Sequence, residues 1–556
     1  MVDGLDDGRQ CRADAFECRM DNMKKDLTTS VFTFEDLIQG NFLYVDKTEY
    51  IWQLIRPAQG MYFLSRPRRF GKSLLLSTLK AIFEGKKDLF KGLAIHGKDY
   101  AWKTYPVIHL DLANCDSKTP EELQAYLEHL LKTSAEALGL KLRETGLAVR
   151  FENLIHDAAK SSDIGQVVIL VDEYDKPILS NIVDLPRCKT ILPVLKGFYS
   201  SIKKCSKITR LAMVTGVSKF CHVSLFSELN NLTDITLDVD YAGMLGFTDN
   251  EIRENYADRI TDAAKAHRIP EDTLMTRILD WYDGYRFSEA DVHVCNPVSL
   301  SNFFLKKYKF SNYWDTTGTP SFLLELMRKQ SYDYEAALKL WYGESIFAAY
   351  ELEKLDITGL LWQTGYLTIK DIREDAFGML YRLDFPDREV QSTFTSRLIK
   401  TYAGSGAENE LLAQMRAFGQ AINNDDLDGF LTIFQSFLAN IDYKLHIPDE
   451  KYYQSIFFLV FKFLGASIEA ESCTNEGRID AYVCTAKAVY IFEFKLNKSA
   501  KKAVSQIVDK HYYEKFQSCG LPIRMIGVNF NSAKRRIDGW KEMALPSNSF
   551  ESNGYK

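Results

Sequence analysis

At Phe63-Leu-Ser-Arg-Pro-Arg-Arg-Phe-Gly-Lys-Ser73 an apolar run gives way to arginines and then to the tripeptide Gly-Lys-Ser. Residues 61–66 predict a strand, and from Ser73 the leucines recur at helical spacing. A turn between such a strand and helix points backbone N–H groups and the positive end of the helix dipole at a phosphate. The lysine of such a turn reaches the β- and γ-phosphates, and the serine binds Mg²⁺. We therefore predict that Gly71, Lys72 and Ser73 bind ATP, with Ser73 as a magnesium ligand.

The loop departs from the usual phosphate-loop pattern, which has a glycine five places before Gly71. Arg66 occupies that place. Together with Arg68 and Arg69 it adds positive charge where a triphosphate would lie, so we include Arg66 and Arg69 among the predicted nucleotide-binding residues. A Gly-Lys-Ser tripeptide alone is weak evidence for a nucleotide site, and support has to come from elsewhere in the chain.

A second buried strand supplies carboxylates for the same site. Val168-Ile-Leu-Val-Asp172-Glu173 is a continuous apolar run that ends in two acidic residues. At this place an aspartate holds the magnesium water shell, and the following glutamate orients or deprotonates the attacking water. We predict these roles for Asp172 and Glu173. A solvated acidic strand end is the alternative, but the two patterns together, in this order, are much less common.

Thr215 ends a further predicted strand, 208–215, just before Gly216. The end of such a strand is a suitable place for a polar sensor near the γ-phosphate, and we include Thr215 among the nucleotide-binding residues. An ordinary strand-end hydroxyl with its own hydrogen-bond partner explains the residue equally well.

Two carboxylates and a lysine occupy a predicted hairpin near the C-terminus. A two-residue turn at Ala486-Lys487 places Asp480 opposite Glu493, and Glu493 and Lys495 share a face because strand side chains alternate. Their mutual repulsion makes two neighbouring carboxylates unfavourable unless a metal ion offsets it. Mg²⁺ on the carboxylates, with the lysine positioning water or phosphate, gives the arrangement a chemical purpose. These three residues alone favour the alternative, a solvated hairpin with a Glu–Lys pair.

Two predicted helices strengthen the catalytic interpretation. Glu450 begins the apolar helix before this hairpin, and Gln506 lies on the helix predicted over 499–516. Four lysines make the second helix a candidate phosphate-binding surface: Lys498, Lys501, Lys502 and Lys510.

Charge is distributed unevenly along the 556 residues. The net charge is −6, which by itself argues against a nucleic-acid partner. Residues 478–556, however, carry 14 Lys and Arg against 7 Asp and Glu, a local charge of +7 that leaves −13 on residues 1–477. A basic C-terminal segment points to a polyanion at that end, although lysine content also varies along many chains without such a role.

Composition excludes several other classes of protein. The longest apolar run, 456–461, is far shorter than the roughly 18–20 residues that span a membrane. The first 25 residues lack the apolar core of a signal peptide. Ten cysteines without a Cys-x-x-Cys pair suggest a reducing compartment, and the nine histidines show no zinc-ligand spacing. We therefore expect a cytoplasmic protein with no membrane partner.

These residues resemble bacterial proteins in which an AAA-ATPase-like domain is fused to a C-terminal domain of the PD-(D/E)XK nuclease superfamily. The arginine-rich loop matches the family, so the missing glycine is a family trait. The resemblance covers most of residues 28–540 and rests on Tyr44-Val-Asp-Lys-Thr48, Phe63–Ser73, Leu170-Val-Asp-Glu-Tyr-Asp-Lys-Pro177, Thr215-Gly-Val-Ser-Lys-Phe220, Phe226-Ser-Glu-Leu-Asn-Asn-Leu232, Asn296-Pro-Val-Ser-Leu300, Thr317-Gly-Thr-Pro-Ser-Phe322, Gly477-Arg-Ile-Asp480 and Ile491-Phe-Glu-Phe-Lys495.

The resemblance implies two chemistries. One is ATP hydrolysis that involves Lys72, Ser73, Asp172 and Glu173. The other is metal-dependent phosphodiester cleavage that involves Asp480, Glu493 and Lys495, with Glu450 as a further metal ligand and Gln506 as a helper. ATP and Mg²⁺ are the expected cofactors, and nucleic acid is the expected partner, with DNA favoured over RNA. A homo-oligomer would suit an ATPase that takes an arginine from a neighbouring copy.

The expected fold class is multidomain α/β. Alternating strands and helices over 30–240 predict a three-layer α/β ATPase core of the phosphate-loop type. Helical patterns dominate the middle of the chain, where 366–372 and 379–385 predict a hairpin. We place the domains at 26–245 (ATPase-like), 246–445 (helical middle region) and 446–545 (α/β nuclease-like), between a disordered tail 1–25 and a tail 546–556.

The leading functional hypothesis is an ATPase whose nucleotide state gates a nuclease. The alternative is an ATPase switch or scaffold whose C-terminal domain binds nucleic acid or protein without cleavage. A transport-linked ATPase is disfavoured, because the sequence has neither a membrane segment nor an amphipathic basic helix.

Overall fold

The computed structural model describes most of the chain, in two compact units. The described residues are 25–219, 231–314, 323–324, 326–327, 332, 334–348, 356–403, 408–439, 450–463, 467–473 and 478–545. The first unit takes in the described residues up to Ser311 and, further along, Ala348 and Gln363–Gly365. The second takes in Asn312–Phe347, Asp356–Trp362 and the described residues from Tyr366 onward.

The division between units cuts through the predicted middle region. Residues 246–311 belong to the first unit, whereas most later described residues of the region 246–445 belong to the second. The predicted tails 1–25 and 546–556 lie outside the described residues, apart from Lys25.

A five-stranded parallel sheet forms the centre of the first unit. Its strands are β1 (Gly60–Ser65), β2 (Val107–Asp111), β3 (Val167–Asp172), β4 (Thr209–Gly216) and β5 (Thr233–Asp234). They lie in the order β2-β3-β4-β1-β5, so that β4 is inserted between β1 and β3. Every residue of β3 and β4 is buried, as expected for strands covered on both faces. The predicted parallel α/β sheet is confirmed.

Helices connect these strands and continue beyond the sheet. They are α1 (Phe34–Gln39), α2 (Thr48–Ile55), α3 (Lys72–Phe83), α4 (Pro120–Ala137), α5 (Leu147–Lys160), α6 (Lys176–Leu179), α7 (Leu185–Lys204), α8 (Asp249–Asn255), α9 (Ala257–His267), α10 (Glu271–Tyr282) and α11 (Pro297–Leu305). The start of helix α4 has a typical N-terminal sequence: the Thr119 hydroxyl accepts a hydrogen bond from Glu122 N, and Pro120 takes the first helical position.

The carboxyl ends of these parallel strands meet at one edge of the sheet. β1 and β4 pair as far as Ser65 and Gly216, and β2 and β3 pair as far as Asp111 and Asp172. The turn after β1 and the ends of β3 and β4 are therefore neighbours, which is the place where open α/β sheets bind ligands.

The first part of the second unit combines helices with a small antiparallel sheet. Its helices are α12 (Tyr334–Lys339), α13 (Ile357–Thr364), α14 (Arg388–Ala403), α15 (Glu408–Asn423) and α16 (Leu427–Ala439), of which α13 has its last two residues in the first unit. Strands β7 (Thr368–Asp375) and β8 (Gly378–Asp384) form the predicted hairpin, which is confirmed. A third strand, β6 (Trp341–Gly343), pairs with β8. With three residues, it is too short to show the alternation of apolar and polar residues that predicts a strand.

A mixed five-stranded sheet follows helix α17 (Glu450–Phe463). Its strands, in spatial as well as chain order, are β9 (Ser467–Cys473), β10 (Arg478–Cys484), β11 (Val489–Leu496), β12 (Ile523–Asn531) and β13 (Arg536–Leu545). Strands β11 and β12 are parallel and are joined through helix α18 (Ala500–Asp509), while the other neighbours are antiparallel. The sheet thus contains one crossover connection among hairpins.

Helices α17 and α18 pack on opposite faces of this sheet. Phe457 of α17 contacts Phe492 of β11, whereas Ile507 of α18 shares a hydrophobic core with Ile491. Since side chains alternate along a strand, Phe492 and Ile491 point to opposite faces. Glu493, two residues after Ile491, therefore projects toward the face that carries α18.

Two C-terminal elements differ from the prediction. The helix predicted over 499–516 is interrupted after Asp509, because His511 adopts a left-handed backbone with φ of 46°, and a 3-10 segment, Tyr512–Cys519, follows. Strand β13 was not predicted. It is an edge strand in which glycine and charged residues break the apolar alternation. Its position is therefore determined by pairing with β12 and not by a strand pattern in its own sequence.

No helix in the described part of the chain is both long enough and apolar enough to cross a bilayer.

Candidate active sites

The predicted phosphate loop forms the turn between β1 and α3. Gly71 precedes the helix with a φ of 96°, a left-handed conformation that favours glycine, and Arg69 is also left-handed at 67°. The Lys72 ammonium is buried and donates to the carbonyl oxygens of Arg66 and Pro67, each at 3.0 Å. The lysine of the loop therefore donates to backbone carbonyl oxygens of the same loop. These acceptors are uncharged, and a phosphate oxygen can replace them.

The arginines of the loop are placed differently from one another. The Arg66 guanidinium is buried, donates to the carbonyl oxygens of Ser65 and Thr236, and lies over the ring of Phe287. Burial lowers its pKa to about 9. Arg69 is partly exposed. Arg66 thus faces the protein interior and ties the loop to its surroundings, while Arg69 lies nearer to solvent.

Asp172 connects three parts of the predicted nucleotide site. Its Oδ2 accepts a hydrogen bond from the Ser73 hydroxyl at 2.5 Å, and its Oδ1 accepts one from the Thr215 hydroxyl at 2.7 Å. Asp172 is 3% exposed. The structure therefore brings Ser73, Asp172 and Thr215 together, although they are far apart in sequence. Serine and carboxylate oxygens in contact are a donor set that fits Mg²⁺.

Glu173 follows directly in a strained backbone conformation, with a φ of 49°. Burial raises the pKa of its carboxyl group, and nearby Lys72 counteracts this rise. Burial lowers the pKa of Lys72, while Glu173 and Asp172 act in the opposite direction. The lysine and both predicted carboxylates thus interact electrostatically in one buried site.

The second predicted site lies where β10 and β11 pair. The register joins Ala481 with Phe492, and Thr485 N donates to Ala488 O at 3.0 Å, as the predicted two-residue turn requires. Asp480 is one position beyond the last pair and its Oδ2 accepts a hydrogen bond from Phe494 N at 2.7 Å. The predicted hairpin register is confirmed, and Asp480 lies against the strand that carries Glu493.

Glu493 is almost completely buried, and only one of its two carboxylate oxygens has a hydrogen-bond partner among the described residues. Its Oε1 pairs with the Lys495 ammonium at 2.7 Å, and its Oε2 has no hydrogen-bond partner among the described residues. Burial and then Asp480 raise the pKa of Glu493 to about 8, against the influence of Lys495. The pKa of Lys495 is raised: burial lowers it, and the larger combined effect of Glu493 and the nearby carboxylates outweighs burial.

The two helper residues have different positions. Glu450, the first residue of α17, accepts a hydrogen bond from Leu496 N at 2.9 Å and is close enough to raise the pKa of Glu493. Gln506 lies on α18, on the face of the sheet toward which Glu493 projects, and is partly exposed. Its side chain makes no hydrogen bond to any other residue that the structure describes. The structure therefore gathers Asp480, Glu493, Lys495 and Glu450, and leaves Gln506 nearby on the same face.

The carboxylates of this second site fit a divalent cation. Glu493 has a buried oxygen without a partner among the described residues, and burial followed by the nearby charge of Asp480 raises its pKa. A divalent cation bound by oxygen ligands would relieve both. Among the described residues, no three His, Cys, Asp or Glu side chains are already arranged as a metal cluster. The groups that would hold an ion at this place are Asp480 and the unpartnered oxygen of Glu493.

Comparisons with known proteins match two separate parts of the chain. Residues 29–226 match the family described as "Predicted AAA-ATPase", and residues 448–540 match the "PD-(D/E)XK nuclease superfamily". A protein of Azotobacter chroococcum mcd 1, described as "Uncharacterized protein in vnfD 5'region", is 35% identical over 530 residues, which cover 93% of this chain and 98% of that protein. The chain belongs to the family of AAA-ATPase-like proteins with a C-terminal PD-(D/E)XK nuclease superfamily domain.

The predicted resemblance to this AAA-ATPase-like family is thereby confirmed. The phosphate loop and Asp172 lie within the first matched range, and Glu450, Asp480, Glu493 and Gln506 lie within the second. The matched relative is itself uncharacterised, so family membership assigns the two domains and leaves their activities to be proposed.

One buried carboxylate of the AAA-ATPase-like domain is absent from the predicted site residues. Asp175 accepts hydrogen bonds from Ser218 N at 2.7 Å, from the Ser218 hydroxyl at 2.5 Å and from Val217 N. Burial raises its pKa, and these hydrogen bonds lower it. Asp175 therefore fixes the segment that follows Thr215. The signal in the sequence is a third carboxylate within four residues of Asp172, directly after a buried strand.

Proposed function

We propose that this protein hydrolyses ATP in its first unit and cleaves nucleic-acid phosphodiester bonds in its C-terminal domain. The observation that carries the proposal is the proximity of Asp480, Glu493 and Lys495 where β10 pairs with β11. Glu493 is buried there, and one of its carboxylate oxygens has no hydrogen-bond partner among the described residues. A solvated hairpin would leave these groups in water, whereas burial of unbalanced charge needs a functional explanation.

In the proposed ATPase reaction, Lys72 leaves the carbonyl oxygens of Arg66 and Pro67 and binds the β- and γ-phosphates. Ser73 and Asp172 hold Mg²⁺, and Thr215, hydrogen-bonded to Asp172, faces the γ-phosphate. Glu173 orients and deprotonates the attacking water. Burial raises the pKa of Glu173, which suits a general base better than an exposed carboxylate does.

In the proposed nuclease reaction, Asp480 and Glu493 hold Mg²⁺, with Glu450 as a further ligand. The chemistry that bound Mg²⁺ supplies is activation of water and neutralisation of charge on the phosphate. Lys495, released from Glu493, positions the water or stabilises the phosphate. Gln506 lies on the same face of the sheet, where it can orient a substrate or a water.

Nucleic acid is the proposed partner, with DNA favoured over RNA. Residues 478–556, which contain Asp480, Glu493 and Lys495, carry a net charge of +7, and positive charge in this part of the chain would attract phosphates. We further propose that the nucleotide state of the first unit gates cleavage in the second.

A second candidate function is an ATPase switch whose C-terminal domain binds without cutting. The contact of Lys495 with Glu493 favours it, because without a bound metal the lysine neutralises the carboxylate that cleavage needs.

Activity measurements on the full chain distinguish these functions. Labelled single- and double-stranded DNA and RNA are incubated with Mg²⁺ and with ATP, ADP or no nucleotide, while phosphate release is followed in parallel. Lys72→Ala is expected to abolish ATP turnover, because the phosphates lose their cation. Asp480→Ala is expected to abolish cleavage and to leave ATP turnover in place.

For each part of the proposal, one specific result would contradict it. Undiminished turnover in Lys72→Ala removes the phosphate loop from the site. Cleavage that survives in both Asp480→Ala and Glu493→Ala overturns the metal assignment. Nucleic-acid binding without cleavage in the unaltered chain supports the switch, and equal cleavage with ATP, ADP and no nucleotide contradicts gating.

A further inference from the structure

The turn between β12 and β13 carries three consecutive cationic residues. Residues 532–536, which we name the basic turn, end in Lys534-Arg-Arg536 and contain no Asp or Glu. All three cationic residues are exposed. Arg536 forms no ion pair with any residue that the structure describes, and Lys534 has only a solvent-exposed pair with Asp538 at 3.7 Å. Such exposed pairs neutralise little charge, so the basic turn is suited to an anionic partner.

The conformation of the basic turn is fixed by hydrogen bonds at its base. Lys534 N donates to Asn531 Oδ1 at 2.9 Å, and Arg535 adopts a left-handed backbone with a φ of 54°. Asn531 and Arg536 are paired where β12 ends and β13 begins. A turn that is already ordered loses little conformational entropy when it binds a partner.

Hydrogen bonds also join the basic turn to the chain that leads into α18. Asn497 Nδ2 donates to the Ser532 hydroxyl at 2.8 Å, and Ser532 N donates to Asn497 Oδ1 at 3.0 Å. One position further along, Lys498 N donates to Asn529 Oδ1 at 2.8 Å. The basic turn and the start of α18 therefore lie side by side, at the edge of the sheet where the parallel strands β11 and β12 end.

The start of α18 is basic as well. Residues 494–508 contain four lysines and no Asp or Glu, and three of these lysines are exposed: Lys498, Lys501 and Lys502. A Cβ atom on Gly527 would lie 2.3 Å from Ala500 O, so the first turn of α18 lies directly against β12. Two stretches that are distant in sequence thus bring like charges to one edge of the sheet. A bound polyanion would offset their repulsion.

This edge is close to the proposed nuclease residues. In the pairing of β11 with β12, Glu493 is opposite Gly527 and Lys495 is opposite Asn529. Asn497, which contacts the basic turn, follows Glu493 by four positions, or about 13 Å along an extended strand. That distance corresponds to roughly four base-pair steps of duplex DNA, so one bound strand can reach both places.

We infer that the basic turn and the start of α18 together bind the phosphate backbone of nucleic acid beside the carboxylate site. The inference rests on the proposed function and assigns the surface that holds the substrate. Arginine suits this role, because its guanidinium can donate two parallel hydrogen bonds to one phosphate. The net charge of residues 478–556 could not locate such a surface, since the contact between Asn497 and Ser532 is tertiary.

DNA binding by the full chain tests the inference. Fluorescence anisotropy with a labelled duplex of about 20 base pairs is measured at several salt concentrations, with Ca²⁺ in place of Mg²⁺ so that cleavage does not interfere. The double substitution Lys534→Ala and Arg536→Ala is expected to weaken binding about tenfold or more at about 0.1 M salt. It should also lower the slope of log affinity against log salt concentration by roughly 2. Arg535 is left unchanged, because alanine is strained at its positive φ.

Two controls separate local contacts from net charge and from folding. Arg536→Ala and Lys487→Ala each remove one positive charge from this sheet, but Lys487 is exposed in the β10–β11 turn, at the opposite end of β11. Only Arg536→Ala should reduce the slope, by about 0.9. Lys534→Arg combined with Arg536→Lys keeps both charges and should retain affinity within about threefold.

The possible outcomes are distinct from one another. Equal slopes for Arg536→Ala and Lys487→Ala, or an unchanged slope in the double alanine variant, overturn the inference. Loss of binding to labelled polyglutamate but not to DNA in the double alanine variant also overturns it, and would assign the basic turn to an acidic protein. Failure of the unaltered chain to bind DNA would instead contradict the proposed nucleic-acid partner.

Discussion

At the scale of single residues, Glu493 combines features that an ordinary structural carboxylate lacks. It is 1% exposed, one of its oxygens pairs with Lys495, and the other has no partner in the described part of the chain. Burial and the nearby charge of Asp480 raise its pKa to about 8. A metal ion that binds Glu493 therefore competes with a proton at higher pH than it would at an ordinary glutamate.

Mg²⁺ binding is therefore expected to depend on pH. Below about pH 8 the cation competes with the proton on Glu493, so its affinity should rise with pH and level off above about pH 8, with release of up to about one proton. Calorimetry in buffers of different ionisation enthalpy measures that proton. Glu493→Gln, which carries no titrating proton, should bind more weakly and lose the pH dependence in this range. Metal affinity that stays constant between about pH 6 and pH 8 would contradict the assignment.

Sequence and structure contribute differently to individual site residues. The pairing of Asp480 with the strand of Glu493 could be predicted, because a short turn and strand alternation fix the register locally. The contact of Gln363 with Lys219, 144 positions earlier, and the approach of Gly365 to Pro67 could not be predicted. No local pattern contains such tertiary contacts.

At the scale of elements, the aromatic side chain of Phe457 joins helix α17 both to the nuclease-like sheet and to helix α16. The ring of Phe457 lies 4.7 Å from that of Phe492 and 4.9 Å from that of Phe494 between centroids, and 5.3 Å from that of Phe434 on α16. Helix α17 also begins with Glu450. The packing of this helix therefore sets the position of a predicted metal ligand.

Truncation of Phe457 should destabilise the second unit. Phe457→Ala removes a ring that is 1% exposed, and we expect the free energy of unfolding to fall by about 3–5 kcal/mol. Urea denaturation followed by circular dichroism measures the change. The matched control is Phe377→Ala at the tip of the β7–β8 hairpin, where the side chain is 99% exposed and the effect should stay within about 0.5 kcal/mol. Equal effects of the two substitutions would show that Phe457 is not a core residue.

Helices and strands could be predicted well where the local sequence determines the type of element and where it begins. The central strands β3 and β4 are continuous apolar runs, and α4 has both a capping threonine and an initial proline. Strand β13 and the interruption after α18 depend on neighbouring elements and on the backbone of His511, for which the local sequence offers no clear signal.

At the scale of the whole molecule, the net charge of −6 conceals a separation of charge. Residues 478–556 carry +7, and α18 presents Lys501 and Lys502 as exposed residues after its capping Ser499. The core that α18 shares with β11 lies on the face toward which Glu493 projects. Positive charge is thus concentrated in the part of the sequence that contains the proposed nuclease residues, whereas the rest of the chain is acidic.

Salt dependence of DNA binding tests this separation. Each lysine that neutralises a phosphate contributes about 0.9 to the slope of log affinity against log salt concentration for duplex DNA. The double substitution Lys501→Ala and Lys502→Ala should therefore weaken binding and reduce the slope by roughly 2. The control is Lys103→Ala with Lys141→Ala, two exposed lysines of the first unit, which should leave the slope unchanged.

Fluorescence anisotropy with labelled duplex DNA at several salt concentrations measures the binding of both double variants. The measurements are made in the presence of Ca²⁺, so that cleavage does not interfere. An equal loss of slope in the two double variants would mean that DNA contacts the whole chain without preference, and no loss in either would remove α18 from the interface.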